Sequence, residues 1–263
     1  GNIDHNFWGP PEIVDHEKYP RPAYFATAET PASDQAAGAA ASLALTYLNS
    51  RQTEPGYAAQ CLDTARALYA FAKENRGLGY SGGFYNSSYD HDELAWAAIW
   101  LHIATDDAAY LADITRRNSQ GQYTGWLGRI INSSSDDWQN IWVHCWDTKW
   151  GGVFAKLAPI TDNPRDWEIF RWNLEFWSGI PHENSSDGNH LAKTPAGFSY
   201  LNTWGSARYN AAAQFQAMVY KKYTGSTDFD AWMTRQMQYI MGDNPLNRSY
   251  IVGYSDNYAE HPH

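Results

Sequence analysis

A tryptophan, an arginine and a tyrosine lie close together in the seven-residue segment that begins at Thr203. Trp204 and Arg208 are four residues apart, so they would share one face of a helix. We expect Thr203 or Ser206 to cap a helix whose body, 211–223, is rich in alanine and aromatic residues. An indole beside a guanidinium suits the flat, hydroxyl-bearing face of a sugar ring. The alternative is a core Trp204 with Arg208 in a surface salt bridge, and this segment alone leaves both interpretations open.

Oxygen-bearing side chains crowd the stretch 86–93, which reads Asn-Ser-Ser-Tyr-Asp-His-Asp-Glu and precedes a predicted helix. Three acids and several small side chains at such a place suit a hard cation that takes six or more oxygen ligands, namely calcium. The stretch lacks the glycine and the spacing of an EF-hand loop. Acids at a helix N-terminus are also favoured by the helix dipole alone, so an interpretation without metal remains open.

Three tryptophans punctuate the segment 141–150, and Asp147 follows the second of them. Trp142 and Trp146 lie one helical turn apart. Both rings could belong to the core, but polar neighbours on nearly every side make a half-exposed aromatic platform an equal alternative.

A glycosidase needs two carboxyl groups that flank the scissile bond, one of them kept protonated to serve the leaving oxygen. The candidate acid groups are 90–93, 106–107 and 136–137. Helix capping or metal binding explains each of them more simply. The residues of this chain therefore do not identify a general acid.

Helical periodicity predicts an all-α fold of about four helical hairpins, each with a short internal turn and followed by a long loop rich in glycine and aromatic residues. Long loops on one side and short turns on the other describe a toroid in which the long loops carry the function. A simple stack of hairpins is the alternative, but the sequence shows no fixed repeat period. The predicted helix pairs are 35–48 with 57–75, 92 onward with 107–118, 137–146 with 164–177, and 206–223 with 228–241. Ser33 or Asp34 is expected to cap the helix 35–48. In the third pair, Gly151-Gly152 is expected to break the chain between the two helices.

The 263 residues suffice for one large core, which predicts a single domain or a piece of one. Aromatic residues make up 16% of the chain, more than such a core needs, so many rings are expected on walls and clefts. The net charge of −10 argues against a nucleic-acid or anionic-membrane partner. No apolar run is long enough to span a membrane. The sequence does not decide whether Cys61 and Cys145 pair.

A series of motifs, in order along the whole chain, resembles glycoside hydrolase family 9, the inverting cellulases built on an (α/α)6 barrel. These motifs are His-x-x-Trp-Gly-Pro at 5–10, Arg-Pro-x-Tyr at 21–24 with Ser-Asp-x-Ala at 33–36, Phe-Tyr-Asn at 84–86 with Asp-Glu-Leu-x-Trp at 92–96, Trp-x-x-x-Trp-Asp at 142–147, Trp-Gly-Ser-Ala-Arg-Tyr at 204–209, Gly-Asp-Asn-Pro at 242–245, and a final signature running from 249 to Pro262-His263. The resemblance implies an incomplete (α/α)6 barrel formed by residues 1–263 as the central part of one catalytic domain.

The resemblance also implies roles for particular residues. Trp204, with Arg208 and Tyr209 beside it, matches the platform just past the cleavage point, and His263 matches the active-site histidine of the signature. The walls of the non-reducing-end subsites correspond to His5, Trp8, Phe84, Tyr85 and Trp142. A calcium site is implied at Ser88, Tyr89, Asp92, Glu93 and Asp147.

The chain departs from the family at its two ends. The family's water-activating aspartates lie upstream of the His-x-x-Trp segment and its proton-donating glutamate lies downstream of the signature, and neither stretch is present. The loop 86–92 is one residue shorter than in some members. We therefore expect the central piece of a larger secreted, extracellular cellulase, with carbohydrate-binding or dockerin modules possible outside this chain and no activity of the chain alone.

Three functions follow from these observations. The first is a cellulase that hydrolyses internal β-1,4-glucosidic bonds of cellulose with inversion. The second is a glucan-binding half-toroid without catalytic activity, suggested by the missing acids. The third is a helical scaffold whose aromatic loops bind something other than carbohydrate.

Overall fold

The structure, a computed structural model, describes residues 6–20, 23–79, 85–131, 144–180 and 190–260. Within these ranges the secondary structure is helical, with three isolated β-bridges and no strand. A short 3-10 helix, Pro11–Ile13, precedes the α-helices. These are α1 (Ser33–Ser50), α2 (Pro55–Glu74), α3 (His91–Thr105), α4 (Ala108–Thr115), α5 (Gly128–Ile131), α6 (Trp150–Thr161), α7 (Pro164–Ser178), α8 (Ser206–Thr224) and α9 (Asp230–Met241).

Eight of the helices in the described part of the chain pair as four helical hairpins. The pairs are α1 with α2, α3 with α4, α6 with α7, and α8 with α9. The turn inside each hairpin is short, whereas the connections between hairpins, such as 75–90 and 179–205, are long. The predicted all-α fold of about four hairpins is therefore confirmed.

The first helix of each hairpin packs against the first helix of the next. Helix α1 contacts α3, α3 contacts α6, and α6 contacts α8, while the second helices flank this row. One core runs through all four hairpins, and its largest fully buried side chains include Trp150, Phe154, Phe170 and Trp177. This arrangement is that of a partial (α/α)6 barrel.

Alanine side chains allow the first helices to approach one another closely. Ala37, Ala40 and Ala44 of α1 are fully buried, as are Ala95 and Ala98 of α3. A methyl group adds little width to a helix, so backbones on both sides can come together without a cavity. The buried face of α1 is therefore made of small residues.

The predicted break at Gly151-Gly152 is wrong, because both glycines lie inside α6. A Cβ atom on Gly152 would lie 2.3 Å from Nδ1 of His144 and 3.1 Å from the ring of Trp96. Glycine is required there for close packing of the incoming chain on α3 and α6, not for a turn. Residues 144–149 are also non-helical, so the helix predicted to end at Trp146 does not reach that residue, and its residues 137–143 lie outside the described part.

The predicted caps of α1 and α8 are also wrong. Ala32 and Gly205 occupy the two N-cap positions, and neither makes a side-chain cap. Ser33 instead bonds to Gly77 and Asp90, while Asp34 accepts from the backbone N–H of Gly79 at 2.8 Å. Long-range polar partners in the folded chain compete with local capping, and here they prevail.

Two further observations concern membrane-spanning helices and the two cysteines. No helix within the described ranges is long and apolar enough to cross a membrane. Cys61 is buried and Cys145 is half-buried, and both are free thiols.

Candidate functional site

Trp204 lies at the surface, immediately before α8. Its side chain is 75% exposed, so it does not belong to the core. The Asn202 side chain accepts a hydrogen bond from the Trp204 backbone N–H at 2.9 Å. Gly205 follows with a φ of +61°, a left-handed conformation that glycine adopts without steric cost. The turn at residues 202–205 therefore has a defined conformation, and the ring of Trp204 on it is exposed to solvent.

Arg208 and Tyr209 form a compact pair beside this turn. The Arg208 guanidinium lies over the Tyr209 ring, 4.6 Å from its centroid, and Nη2 donates to the Tyr209 hydroxyl at 2.9 Å. A Cβ atom at Gly205 would lie 3.2 Å from Nε of Arg208, so the glycine also leaves room for the cation. Arg208 makes no ion pair with a described residue. Its remaining donors point to use as a hydrogen-bonding group toward a ligand.

A buried polar network supports the segment before Trp204, and the sequence patterns did not predict it. Asn210 donates to the Ser199 carbonyl at 2.8 Å and to the Gln236 side chain at 2.9 Å. The same Gln236 oxygen accepts from the Ser199 N–H at 2.8 Å, and Trp232 donates to the Ser199 hydroxyl at 3.1 Å. The only sequence signal was the concentration of amide side chains on α8, at positions that periodicity assigns to the core. Satisfied networks of this kind fix a single local conformation.

Asp92 and Glu93 lie buried at the N-terminus of α3. Asp92 Oδ2 accepts from the Lys149 backbone N–H at 2.6 Å, but Asp92 Oδ1 and Glu93 Oε2 have no hydrogen-bond partner among the described residues. Burial raises the pKa of both groups, and the Asp92 charge raises the pKa of Glu93 further. Two buried, unsatisfied acid oxygens at one place require a proton or a cation.

Asp147 and the residues before α3 meet in the same neighbourhood. The Asp147 carboxylate accepts from the Ser88 N–H at 2.9 Å and from the Ser88 hydroxyl at 2.7 Å. Burial raises the pKa of Tyr89, and the charges of Asp92 and Asp147 add to that effect. The structure thus bonds Ser88 to Asp147 and places Tyr89 near both Asp92 and Asp147. The ligand set that sequence reasoning named stays a prediction.

The acid pair does not have the geometry of a glycosidase acid and base. Such carboxyl groups stand on opposite sides of the scissile bond, separated by about 5 Å or more. Asp92 and Glu93 are consecutive residues at the start of α3 and both are buried, so a substrate does not reach the space between them. Their unpartnered oxygens fit a hard cation better. Within the described ranges no group of three His, Cys, Asp or Glu side chains converges on one point, so such a cation would need main-chain oxygens as well.

The remaining predicted substrate contacts divide into two groups. Trp8 and Tyr85 are exposed, as side chains that contact a ligand must be. His5, Phe84, Trp142 and His263 lie outside the described residues. The role predicted for each of the two exposed residues stays a prediction.

Four helical hairpins packed side by side and joined by long connections define the class as an α-helical barrel, of which the described residues form a part. The family model for Glycosyl hydrolase family 9 matches residues 1–263. The chain is 34% identical over 274 residues to Endoglucanase A of Bacillus pumilus and 35% identical over 270 residues to an endoglucanase of Dictyostelium discoideum. It superposes on the cellulase Cel9M of C. cellulolyticum with a TM-score of 0.80 at 34% sequence identity. The chain therefore belongs to glycosyl hydrolase family 9.

The chain covers only part of these relatives. The alignments include 100% of this chain, but 39% of the Bacillus pumilus protein and 34% of the Dictyostelium discoideum protein. The superposition on Cel9M covers 98% of this chain and 55% of that chain.

Proposed function

We propose that the whole protein is a cellulase that hydrolyses internal β-1,4-glucosidic bonds of cellulose or a related glucan with inversion of configuration. The match of the family model across residues 1–263 carries this proposal. Relatives over the full chain are named endoglucanases, and Cel9M has been solved in complex with cellobiose. The exposed Trp204 supports the same substrate class.

In this proposal the residues of the chain bind and orient the glucan. The indole of Trp204 stacks on one sugar ring, and Arg208, held against Tyr209, donates hydrogen bonds to hydroxyl groups beside it. Trp8 and Tyr85, together with His5, Phe84 and Trp142, contact sugars on the other side of the cleavage point, and His263 contacts the sugar next to the scissile bond. Positioning of this kind contributes to catalysis by converting binding energy into orientation.

The two reacting carboxyl groups come from outside residues 1–263 in this proposal. An aspartate there activates water on one face, and a glutamate protonates the leaving oxygen on the other, at the wider separation that inversion requires. Support comes from the described acids, because Asp107 caps α4 and Asp92 and Glu93 lie buried together. We accordingly propose that the chain alone is inactive.

We further propose that Asp92, Glu93 and Asp147, with the carbonyl oxygens of Ser88 and Tyr89, hold a calcium ion. Calcium would supply the positive charge that the unpartnered oxygens of Asp92 and Glu93 lack. Binding there would also tie the segment before α3 to the segment at Asp147. The ion's contribution in this proposal is structural.

A test of the enzymatic proposal uses the whole protein and a soluble cellulose derivative. We expect new reducing ends and products whose anomeric configuration is inverted, as measured by NMR during the first turnovers. Retention of configuration, or no release of reducing ends, would overturn it. Secretion, which we also propose, is tested by assaying the culture supernatant of the producing cells for the same activity.

Glucan binding without hydrolysis is the second candidate function. The exposure of Trp204 and Tyr85 in a chain that matches the family throughout favours it. Titration of the isolated chain with cellohexaose, followed by tryptophan fluorescence, should give a saturable change. A folded chain whose fluorescence does not respond excludes this function.

A further inference from the structure

Tyr85 and Trp146 form an exposed pair of aromatic rings that comes from two different connections between hairpins. The ring centroids are 5.3 Å apart and the planes are almost perpendicular, at 89°. Tyr85 is 59% exposed and Trp146 is 43% exposed. Edge-to-face contact fixes the two rings relative to each other and still leaves a large area of both to a ligand.

Several hydrogen bonds to backbone carbonyl groups fix the turn that carries Trp146. The Cys145 N–H donates to the Thr148 carbonyl at 2.7 Å. The Lys149 ammonium donates to the carbonyls of Cys145 and Trp146, the latter at 2.8 Å. His144, packed against Trp96 and the Cα of Gly152, anchors the start of the turn. Trp146 is thus a ring on a rigid base, which lowers the entropy lost when a ligand binds.

Hydrogen bonds also fix the segment that carries Tyr85. Ser87 donates to the buried carboxylate of Asp34 on α1. Ser88 donates from its backbone and its side chain to Asp147, the residue that follows Trp146. The two ring-bearing segments are therefore bonded directly to each other next to the ring pair.

Among the described residues, the two charged side chains that follow Trp146 most closely in the sequence, Asp147 and Lys149, are engaged in other contacts. Asp147 is bonded to Ser88, and the Lys149 ammonium is bonded to carbonyl oxygens. The exposed surface of the pair consequently offers aromatic carbon and the Tyr85 hydroxyl rather than a net charge. That chemistry suits a neutral ligand that has an apolar face and hydroxyl groups, and the net charge of −10 disfavours an anionic one.

We propose that Tyr85 and Trp146 together form one binding platform for a pyranose ring of a neutral β-glucan. The assignment rests on the proposed glucan function and adds Trp146 to its substrate contacts. The pair acts as a unit, because the two rings are in direct T-shaped contact and each limits the positions that the other can take.

The test measures the affinity of the whole protein for a thio-linked cellohexaose, which resists hydrolysis, by isothermal titration calorimetry. We expect Trp146→Leu to lower the affinity about tenfold and Trp146→Phe to restore most of it, because an aromatic face and not apolar volume is required. Tyr85→Ala should give a comparable loss. The double variant should lose less than the product of the two single losses.

Phe215→Ala is the matched control, since Phe215 is an exposed aromatic residue in the middle of α8 and should leave the affinity unchanged. Melting temperatures of all variants report whether they fold. If Trp204→Ala weakens binding while Trp146→Leu and Tyr85→Ala behave as Phe215→Ala does, the platform is wrong and the glucan function stands. If the wild-type protein does not bind the probe, both proposals fail.

Discussion

At the scale of single residues, exposure separates the aromatic side chains into two populations. Trp150 and Trp177 are fully buried and belong to the core, whereas Trp204 is mostly exposed. All three are tryptophans in sequence segments rich in aromatic residues, so residue type alone does not assign them. Their depth in the fold depends on whether they lie on an inner helix face or on a connection between hairpins.

The first prediction concerns Trp204. Trp204→Ala should lower the affinity for thio-linked cellohexaose about tenfold or more, because it removes the stacking face without disturbing the core. The melting temperature should stay within about 1 °C of wild type, since an exposed side chain contributes little to stability. Calorimetric titration and a thermal scan measure the two quantities. Trp204→Phe is the control and should keep part of the affinity; equal affinities of the Ala variant and wild type would contradict the assignment.

The second prediction concerns the close approach at Gly152. Gly152→Ala should destabilise the protein by about 1–3 kcal/mol, because the added methyl group would overlap the His144 ring and must displace it. Chemical denaturation measures the free energy of unfolding.

Gly38 provides the matched control for this substitution. It also lies inside a helix, α1, but a Cβ atom there would meet nothing within 4 Å. Gly38→Ala should therefore be neutral or stabilise by up to about 1 kcal/mol through helix propensity. Equal effects of the two substitutions would show that the packing at Gly152 is not as described.

At the scale of elements, buried ionic contacts join the ends of hairpins to one another. Asp90, the N-cap residue of α3, accepts from Nε of Arg76 at 2.6 Å and also from Nη2 of Arg76 and the hydroxyl of Ser33 on α1. The Arg76 guanidinium in turn lies 5.0 Å from the Trp126 ring centroid. A single carboxylate thereby connects α1, the end of α2 and the start of α3.

The third prediction tests this connection through its pH dependence. Burial alone would raise the pKa of Asp90, but the hydrogen bonds from Arg76, His91 and Ser33 outweigh it and leave the pKa below its usual range. The carboxyl of the unfolded chain therefore has the higher pKa. The resulting stabilisation is complete above about pH 4 and is lost as the pH falls below that value.

Asp90→Asn should accordingly lower the free energy of unfolding by about 2–4 kcal/mol at pH 7 and by less at pH 3. Denaturation curves at the two pH values measure both differences. Asp63→Asn is the control. Asp63 is exposed and forms a surface ion pair with Arg66 at 3.7 Å, and such pairs contribute little to the free energy of unfolding. A pH-independent effect of Asp90→Asn would be incompatible with the role of its charge.

At the scale of the whole molecule, one continuous core joins the hairpins. Binding of an ion between two hairpins is therefore expected to change the free energy of unfolding of the whole domain. Asp92, Glu93 and Asp147 lie where the start of α3 meets the segment before α6. These two parts of the chain are more than fifty residues apart in sequence. A ligand bound there would hold the second and third hairpins together.

The fourth prediction is that calcium raises the melting temperature through binding to the native state. Differential scanning calorimetry in excess calcium and in excess chelator should differ by several degrees. Glu93→Gln should abolish most of this difference, because it removes one charged ligand and leaves the side-chain volume nearly unchanged. A wild-type melting temperature that is the same with calcium and with chelator would falsify the calcium proposal.

The amino-acid sequence by itself determined the all-α class, the number of hairpins, most of the helices and the family; the first helix of the third hairpin is the exception. Helical periodicity marks faces such as Ala37, Ala40 and Ala44 regardless of context, and short polar turns between such segments require hairpins. The ordered motifs predicted the family that the comparison then confirmed. These features are local, or they lie along the chain in a fixed order, so they can be recognised without coordinates.

Only the tertiary structure decided which polar groups meet and which rings are exposed. Ser33 and Asp34 have the residue types of helix caps, but their partners lie more than forty residues away. Gly151-Gly152 has the residue types of a break, but both glycines lie in α6, and His144 occupies the space where a Gly152 side chain would lie. Tyr85 and Trp146 lie 61 residues apart in sequence and meet where Ser88 bonds to Asp147. Such contacts depend on how the hairpins pack against one another, and sequence spacing carries no record of that packing.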